Sequence, residues 1–521
     1  MECQIVSISE GKVKGFLATD IKGEKYLSFL GIPYGKAPVG DLRFKAPQPV
    51  EPWDGVRDAT KVGDSCSQYD LLTQAITGSE DCLQLNVFTK TLPHRNSTLK
   101  PVMVWIHGGG FIGGTNDPKT FGPEYIITKD VVLVSIHYRV GFLGFLTLED
   151  TSLEVPGNAA LKDQVLALKW VQKNIIHFNG DPNNVTIFGQ SAGGGSVHYL
   201  VLSPTTKGLF HKAILQSGAA LNPWTTSNLD IYDFMNFIGR EAKNDKEALK
   251  ILRDLPVKKL VNLQDEYLKT KPMLEIIGAV VEKPNPTAFL TKSPIEIMTS
   301  GEYNKIPMII GYTSNEGVMF ACSLFKTGSI ANFIHPEMKI EKGSSIIKVI
   351  SEKLQEYYSQ EKYADNPYML HTDYYFIAGI IGSAKIHAKT SNQPVYLYRL
   401  TMESEKKTMK KMINVENLPG VCHGEDTTYL FKTALISETE FDELEKQCIQ
   451  QFLELWTNFA KYNNPTPAGN NLNIDWKPIE EEQVNILDIG RELIMETNPE
   501  AERMNFWKDI YHLSPETAKY L

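Results

Sequence analysis

Several residues in this chain are spaced for acyl transfer through a serine. Ser191 stands in Gly189-Gln190-Ser191-Ala192-Gly193, directly after the β-branched and aromatic run Val185-Thr-Ile-Phe188. A strand that turns sharply between two glycines and re-enters as a helix lifts a serine hydroxyl clear of a sheet, because no Cβ keeps strand and helix apart. The Ala192 N–H then opens the helix, where it can face charge forming on an attacked carbonyl. A second loop, His107-Gly-Gly-Gly-Phe111, follows another apolar run, and its Gly109 and Gly110 can bring backbone N–H groups to the same oxygen.

Such a serine needs a base, and the base a carboxylate, expected in the chain order Ser, acid, His. His335, His371, His387, His423 and His512 lie far enough downstream. His423 is the best placed, in the glycine-flanked turn Pro419-Gly-Val-Cys-His423-Gly424, whereas His371, His387 and His512 fall in helical or terminal contexts. Glu316 ends the apolar run Ile309-Ile-Gly-Tyr312 in a polar turn, where a carboxylate could fix the tautomer of His423 and stabilise its imidazolium. On spacing alone a surface glutamate fits that turn equally well. The nominal dinucleotide fingerprint Gly108-x-Gly110-x-x-Gly113 is not followed by helical periodicity, so no nucleotide cofactor is expected.

These residues need a scaffold that brings them together. Val102 to His107, Val131 to His137, Lys212 to Ser217, Ile306 to Gly311, Pro394 to Tyr398 and Val484 to Leu487 read as strands buried on both faces. Asn158 to Phe178 reads as an amphipathic helix, through Leu161, Val165, Leu168, Val171 and Ile175. Alternating strands and helices predict an α/β fold, a mainly parallel sheet covered on both faces, preceded by short strands and turns over 13 to 60. Residues 225 to 300 and 325 to 390 read as helical insertions capping the edge where ligands bind. No repeat or linker divides residues 1–521, so one domain is expected.

A net charge of −9 disfavours a nucleic-acid partner, and the basic run Glu405 to Lys411 reads as solvated. No apolar run is long enough to span a membrane. The first ten residues carry no basic and apolar leader, which predicts a cytoplasmic enzyme, or a secreted one if a leader was removed. The six cysteines form no C-x-x-C pair, so no metal is expected; Cys66 and Cys82 could be bridged or free. Asn96 and Asn184 head glycosylation sequons that matter only after secretion.

The chain resembles the type-B carboxylesterase and cholinesterase family of α/β-hydrolases, and within it the insect carboxylesterases. The resemblance rests on Arg43-Phe44, Ser79 to Val87, His107 to Phe111, Tyr138 to Gly141, Asp163-Gln164, Gly189 to Gly193, Gln216 to Gly218, Glu316-Gly317 and Gly420 to His423, in family order. It implies Ser191 as nucleophile, His423 as base, Glu316 as acid, and Gly109, Gly110 and Ala192 as the oxyanion hole. It further implies Ser217 as a partner of the acid, Trp224 as an acyl-pocket wall, and the structural ion pairs Arg43 with Glu80 and Arg139 with Asp163. Met319 and Phe320 fall where cholinesterases carry pocket aromatics; Met319 departs from that pattern, and the Cys66 to Cys82 loop has no tryptophan. Capture of a quaternary ammonium is therefore not expected. Gln190 replaces the glutamate most members place before the serine, as in several insect juvenile hormone esterases, and should stabilise imidazolium less. The expectation is a cofactor-free serine carboxylesterase for neutral, fairly apolar small-molecule esters, xenobiotic or lipid-like. The alternatives are a juvenile hormone esterase-like enzyme and a protein that sequesters organophosphates with slow turnover. Oligomeric state is not encoded in any of these motifs.

Overall fold

The computed structural model describes the chain except residues 1–2, 71–72, 272–276, 323–328, 342, 406–407, 435–440 and 481–482. Strand Lys100–Ile106 runs parallel to Val132–Ile136 on one side and to Gly180–Gln190 on the other. Beyond Gly180–Gln190 the parallel order continues through Lys212–Gln216, Met308–Thr313, Val395–Leu400 and Asn485–Ile489. Leu493–Thr497 closes that side antiparallel. On the opposite flank Gln84–Thr89, Lys25–Pro33, Gly11–Thr19 and Cys3–Ile8 add antiparallel strands, giving thirteen among the described residues with the short Val56–Asp58. This is the α/β-hydrolase arrangement.

The apolar runs are continuous because alternate residues feed different layers. Val102, Val104 and Ile106 pack into one core and Met103 and Trp105 into the other; Ile187 and Phe188 divide in the same way. Helix Glu443–Tyr462 covers the second layer through Phe452, Leu453, Leu455, Trp456 and Phe459.

Three expectations change in three dimensions. The helix expected over Asn158 to Phe178 is α-helical over Ala159–Asn174 and tightens to a 3-10 turn over Ile175–Phe178. It is amphipathic in its second half, with Lys169 and Lys173 exposed, but in its first half Lys162, Asp163 and Gln164 are buried with its apolar face. These first-half polar side chains are enclosed because partners are supplied from outside the helix. Lys162 pairs with buried Glu282 at 2.8 Å, and Asp163 takes a two-point bond from Arg139 at 2.7 and 2.8 Å. The insertions are helical, including Ile231–Phe237, Asp245–Asp254, Val257–Leu268, Ser345–Tyr358 and Ala378–Thr390. They are more than a cap, however, since Ala378–Thr390 packs on strands Met308–Thr313 and Val395–Leu400. The basic run is solvated at Glu405 and Lys411 but not at Lys410, which is buried and donates to Glu403 at 3.0 Å and to the Leu418 carbonyl at 2.6 Å. Lys406 and Lys407 lie outside the described residues.

Cys66 and Cys82 are joined in a disulfide, which settles the pairing that spacing left open. Arg43 makes a two-point bond to Glu80, both at 2.6 Å, and donates to the carbonyls of Leu252, Arg253 and Leu255, tying the N-terminal region to the first insertion. Among the described residues no helix is long and apolar enough to cross a membrane.

Candidate active site

Strand Gly180–Gln190 ends one residue before Ser191, and helix Ala192–Leu202 begins one residue after it. Ser191 sits at φ 59° and ψ −125°, a sparsely populated region for any residue with a Cβ. The surroundings over-determine it. Its N–H donates to the Gln216 carbonyl at 2.8 Å and its carbonyl accepts from Gly195 N–H at 2.9 Å. The sequence can close this turn only with glycine at 193, where a Cβ would lie 2.0 Å from the Ile106 carbonyl oxygen.

The glycine loop after Lys100–Ile106 lies against the serine: a Cβ on Gly108 would meet the Ser191 Cβ at 3.0 Å. Gly109 and Gly110 have φ of 118° and 59°. Their amides donate no hydrogen bond among the described residues, and Ala192, first in its helix, has no intrahelical acceptor by position. Buried Tyr138 supports the loop from beneath, stacking on His107 at 4.3 Å and donating its hydroxyl to the His107 carbonyl at 2.7 Å.

Glu316 and His423, 107 positions apart, meet in the interior. Glu316 opens a 3-10 turn, Glu316–Ala321, after strand Met308–Thr313, and is fully buried. Its Oε1 accepts the Thr313 N–H at 2.7 Å, while Oε2 lies 2.5 Å from His423 Nδ1. With the Nδ1 proton donated to that carboxylate, Nε2 is left as an acceptor. The Gln190 side-chain NH2 donates to it at 3.1 Å. Gln190 thus touches the imidazole directly, and its neighbour Ser191 shares that corner of the site. Ser191 Oγ itself makes no hydrogen bond to His423 in this arrangement.

Ser217 follows strand Lys212–Gln216. Among the described residues its buried hydroxyl makes no hydrogen bond, and the Glu316 carboxylate contacts Thr313 and His423. Its N–H instead donates to the Gly311 carbonyl at 2.8 Å, so its defined contact is a backbone one.

Trp224 is buried, with its ring 6.2 Å from Phe111 and 5.9 Å from Phe376, and its indole N–H donating to the Tyr375 carbonyl at 2.7 Å. Phe320 stacks on Tyr375 at 4.8 Å, and Phe376 lies 4.6 Å from the His423 ring. Met319 is partly buried and packs with Val318, Val415 and Cys422. Tyr375 and Phe376 escaped the sequence reading because they lie on a π-helical segment, Asp373–Ile377, whose widened turn breaks the usual spacing. The aromatic run Tyr374-Tyr-Phe376 was the available signal.

Asp426 was missed too. Three residues beyond His423 and fully buried, it accepts from Gln216 at 2.9 Å and from the Tyr398 hydroxyl at 2.8 Å. Burial pushes its carboxyl up to about 6, against those two donors and with Glu316 nearby adding to the rise. Among the described residues no cluster of His, Cys, Asp and Glu could hold a metal ion.

The carboxylesterase family model matches residues 2–507. The chain is 35% identical over 520 residues to juvenile hormone esterase of Tribolium castaneum, covering 91% of this chain and 86% of that one. It is 32% identical over 505 residues to pyrethroid hydrolase Ces2e of Rattus norvegicus, covering 92% and 85%. A crystal structure of juvenile hormone esterase from Manduca sexta, with OTFP covalently attached, shares the fold at a TM-score of 0.88 and 31% identity, covering 98% of this chain and 100% of that one. By sequence and by fold, this chain belongs to the carboxylesterase family and is a serine carboxylic-ester hydrolase.

Proposed function

We propose that Ser191 is the acylated nucleophile, His423 the general base and acid, and Glu316 the carboxylate that orients it. The amides of Gly109, Gly110 and Ala192 bind the oxyanion, and Trp224, Phe320 and Met319 wall the pocket. The observation that carries this reading is the buried 2.5 Å contact of His423 Nδ1 with Glu316, made by an imidazole whose other nitrogen meets the residue next to Ser191.

The steps follow from that arrangement. As Ser191 Oγ attacks the ester carbonyl, its proton passes to His423 Nε2, displacing the Gln190 amide from that lone pair. The Nδ1–H bond to Glu316 keeps the imidazolium paired while the carbonyl oxygen gathers charge against the three amides. Collapse breaks the bond to the alcohol, which leaves with the proton from Nε2. Water then repeats the sequence on the acyl-serine and returns the hydroxyl.

The aromatic side chains of Trp224, Phe320, Tyr375 and Phe376 gathered beside His423 favour a neutral, apolar ester. A series of p-nitrophenyl esters of increasing acyl length tests this on the wild type and on Ser191→Ala. Hydrolysis should depend on Ser191 and fall to a residual about 10³ to 10⁴ over water in the variant. A Ser191→Ala enzyme as active as the wild type overturns the assignment.

A second reading is favoured by Gln190 and by the juvenile hormone esterases of Tribolium castaneum and Heliothis virescens among the relatives. It is a preference for a long-chain methyl ester over a short naphthyl ester, read as a ratio of kcat/KM. Equal turnover of the two opposes it. The Cys66–Cys82 disulfide and the exposed Asn96 of one sequon both suit an oxidising, extracellular setting better than the cytoplasm.

A further inference from the structure

The glycine loop that carries Gly109 and Gly110 is closed on itself at one end. The N–H groups of Ile112 and Gly113 both turn back to the Gly109 carbonyl, each at 3.1 Å. Its other end, at Gly114, is held from outside by a residue 46 positions earlier. The Gln68 Oε1 accepts the Gly114 N–H at 2.6 Å, and the Gln68 side-chain NH2 donates to the Gly114 carbonyl at 2.7 Å. Gln68 is buried, and it belongs to the disulfide loop. It lies in strand Gln68–Asp70, which pairs with Ala75–Thr77, two residues beyond disulfide-bonded Cys66. A further bond joins the two loops next to this clamp, between the hydroxyls of Ser65 and Thr115 at 3.0 Å.

An amide paired with a peptide unit at two points fixes both its position and its orientation, which a single hydrogen bond does not. The segment it holds needs such a restraint. Gly108, Gly109, Gly110, Gly113 and Gly114 have the largest backbone freedom to lose, and their φ values include 118°, 59° and 129°. An oxyanion donor stabilises the transition state only if it is already aimed when charge develops.

We propose that Gln68 is a positioning residue for the oxyanion hole, through which the disulfide loop holds the Gly109 and Gly110 amides in register with Ser191. This rests on the esterase reading above, and on Gly109 and Gly110 being its donors. Gln68 touches no reacting atom. Its effect falls on kcat, because a displaced donor weakens the oxyanion more than the bound ester.

The test is Gln68→Met, which keeps the length of the side chain and loses both hydrogen bonds, assayed beside the wild type and Ser191→Ala with p-nitrophenyl butyrate. Losing a whole oxyanion donor typically costs about 10² to 10³ in kcat, so a loosened loop should cost about 10- to 100-fold, with KM changed less than about threefold. Affinity for a trifluoromethyl ketone, which adds to the serine and forms an oxyanion, should fall in parallel with kcat/KM. Affinity for the matching secondary alcohol, which cannot, should hold. Wild-type kcat and ketone affinity in a folded Gln68→Met, beside an inactive Ser191→Ala, would overturn the clamp alone. An active Ser191→Ala would instead overturn the esterase site on which it rests. If Gln68→Met does not fold, Gln68→Asn carries the same test, since it stays neutral and polar but is one methylene too short to reach both Gly114 groups. The same split, smaller in size, is then expected, and unchanged kcat overturns the proposal.

Discussion

Removing the Cys66–Cys82 disulfide should loosen one corner of the molecule by a calculable amount. The bond spans 16 residues. In the chain-entropy account a loop of that size restrains the open state by about 3 kcal/mol. Both cysteines are buried, so Cys66→Ala with Cys82→Ala removes the bond without placing a new polar group in the interior. The loop is otherwise held by local bonds and a few polar ties: Ser67 N–H donates to the Ser79 carbonyl and Ser79 N–H to that of Ser65, each at 3.0 Å, the short strand Gln68–Asp70 pairs with Ala75–Thr77, Gln68 holds Gly114, and Glu80 accepts from Arg43. The loss should therefore appear as local opening and not as unfolding of the sheet. At about 1.4 kcal/mol per tenfold, 3 kcal/mol corresponds to roughly 150-fold faster hydrogen exchange. The amides that should show it are Ser67, Ser79 and Gly114, the last through its bond to Gln68. Amides in the central strand Gly180–Gln190 should keep their protection. Native-state exchange read by mass spectrometry of peptic fragments resolves the two regions. Protection at 67, 79 and 114 within threefold of wild type would show that the disulfide does not restrain this loop, and an equal loss throughout the sheet would show that the opening is not local.

Further outcomes follow from single side chains. Gln190→Glu places a carboxylate against His423 Nε2, where an amide now lies at 3.1 Å, and should raise the apparent pKa of the acid limb of kcat/KM; an unchanged or lowered limb counts against it. Gly193→Ala forces a Cβ to within 2.0 Å of the Ile106 carbonyl, a backbone atom that cannot yield, so folding should fail or the midpoint of thermal unfolding should drop by several degrees; a variant with wild-type melting would contradict the turn geometry. The fully buried pair His198 and His387, Nε2 to Nε2 at 2.7 Å, should contribute acid lability. Burial pushes His387 down to about 3 and holds His198 well below its usual range, while the unfolded chain takes up protons near 6.5. The unfolded state then binds more protons, so stability is complete above about pH 6.5 and is lost as pH falls toward about 3. His387→Gln removes one such titration and should lower the slope of unfolding free energy against pH by about 1.4 kcal/mol per unit near pH 5, measured by urea titration; a slope equal to the wild type's would be inconsistent with a neutral buried pair.

The features legible in the amino-acid order were local ones. Doubly buried parallel strands read as unbroken apolar runs, so 102 to 106 and 212 to 216 were legible without a partner in view. The turn at Ser191 was legible because strand, glycines and helix are neighbours in the chain. Glu316 and His423 were separable from other carboxylates and histidines only by chain order and by resemblance, since spacing alone left Glu316 tied with a surface residue. The contacts that decided the rest lie far apart in sequence. Gln190 meets His423 across 233 positions, Gln68 meets Gly114 across 46, and Lys162 finds Glu282 across 120. None of these pairs carries a local signature, because a buried amide or ammonium is tolerated only by what surrounds it, and that is supplied by packing and not by its neighbours along the chain.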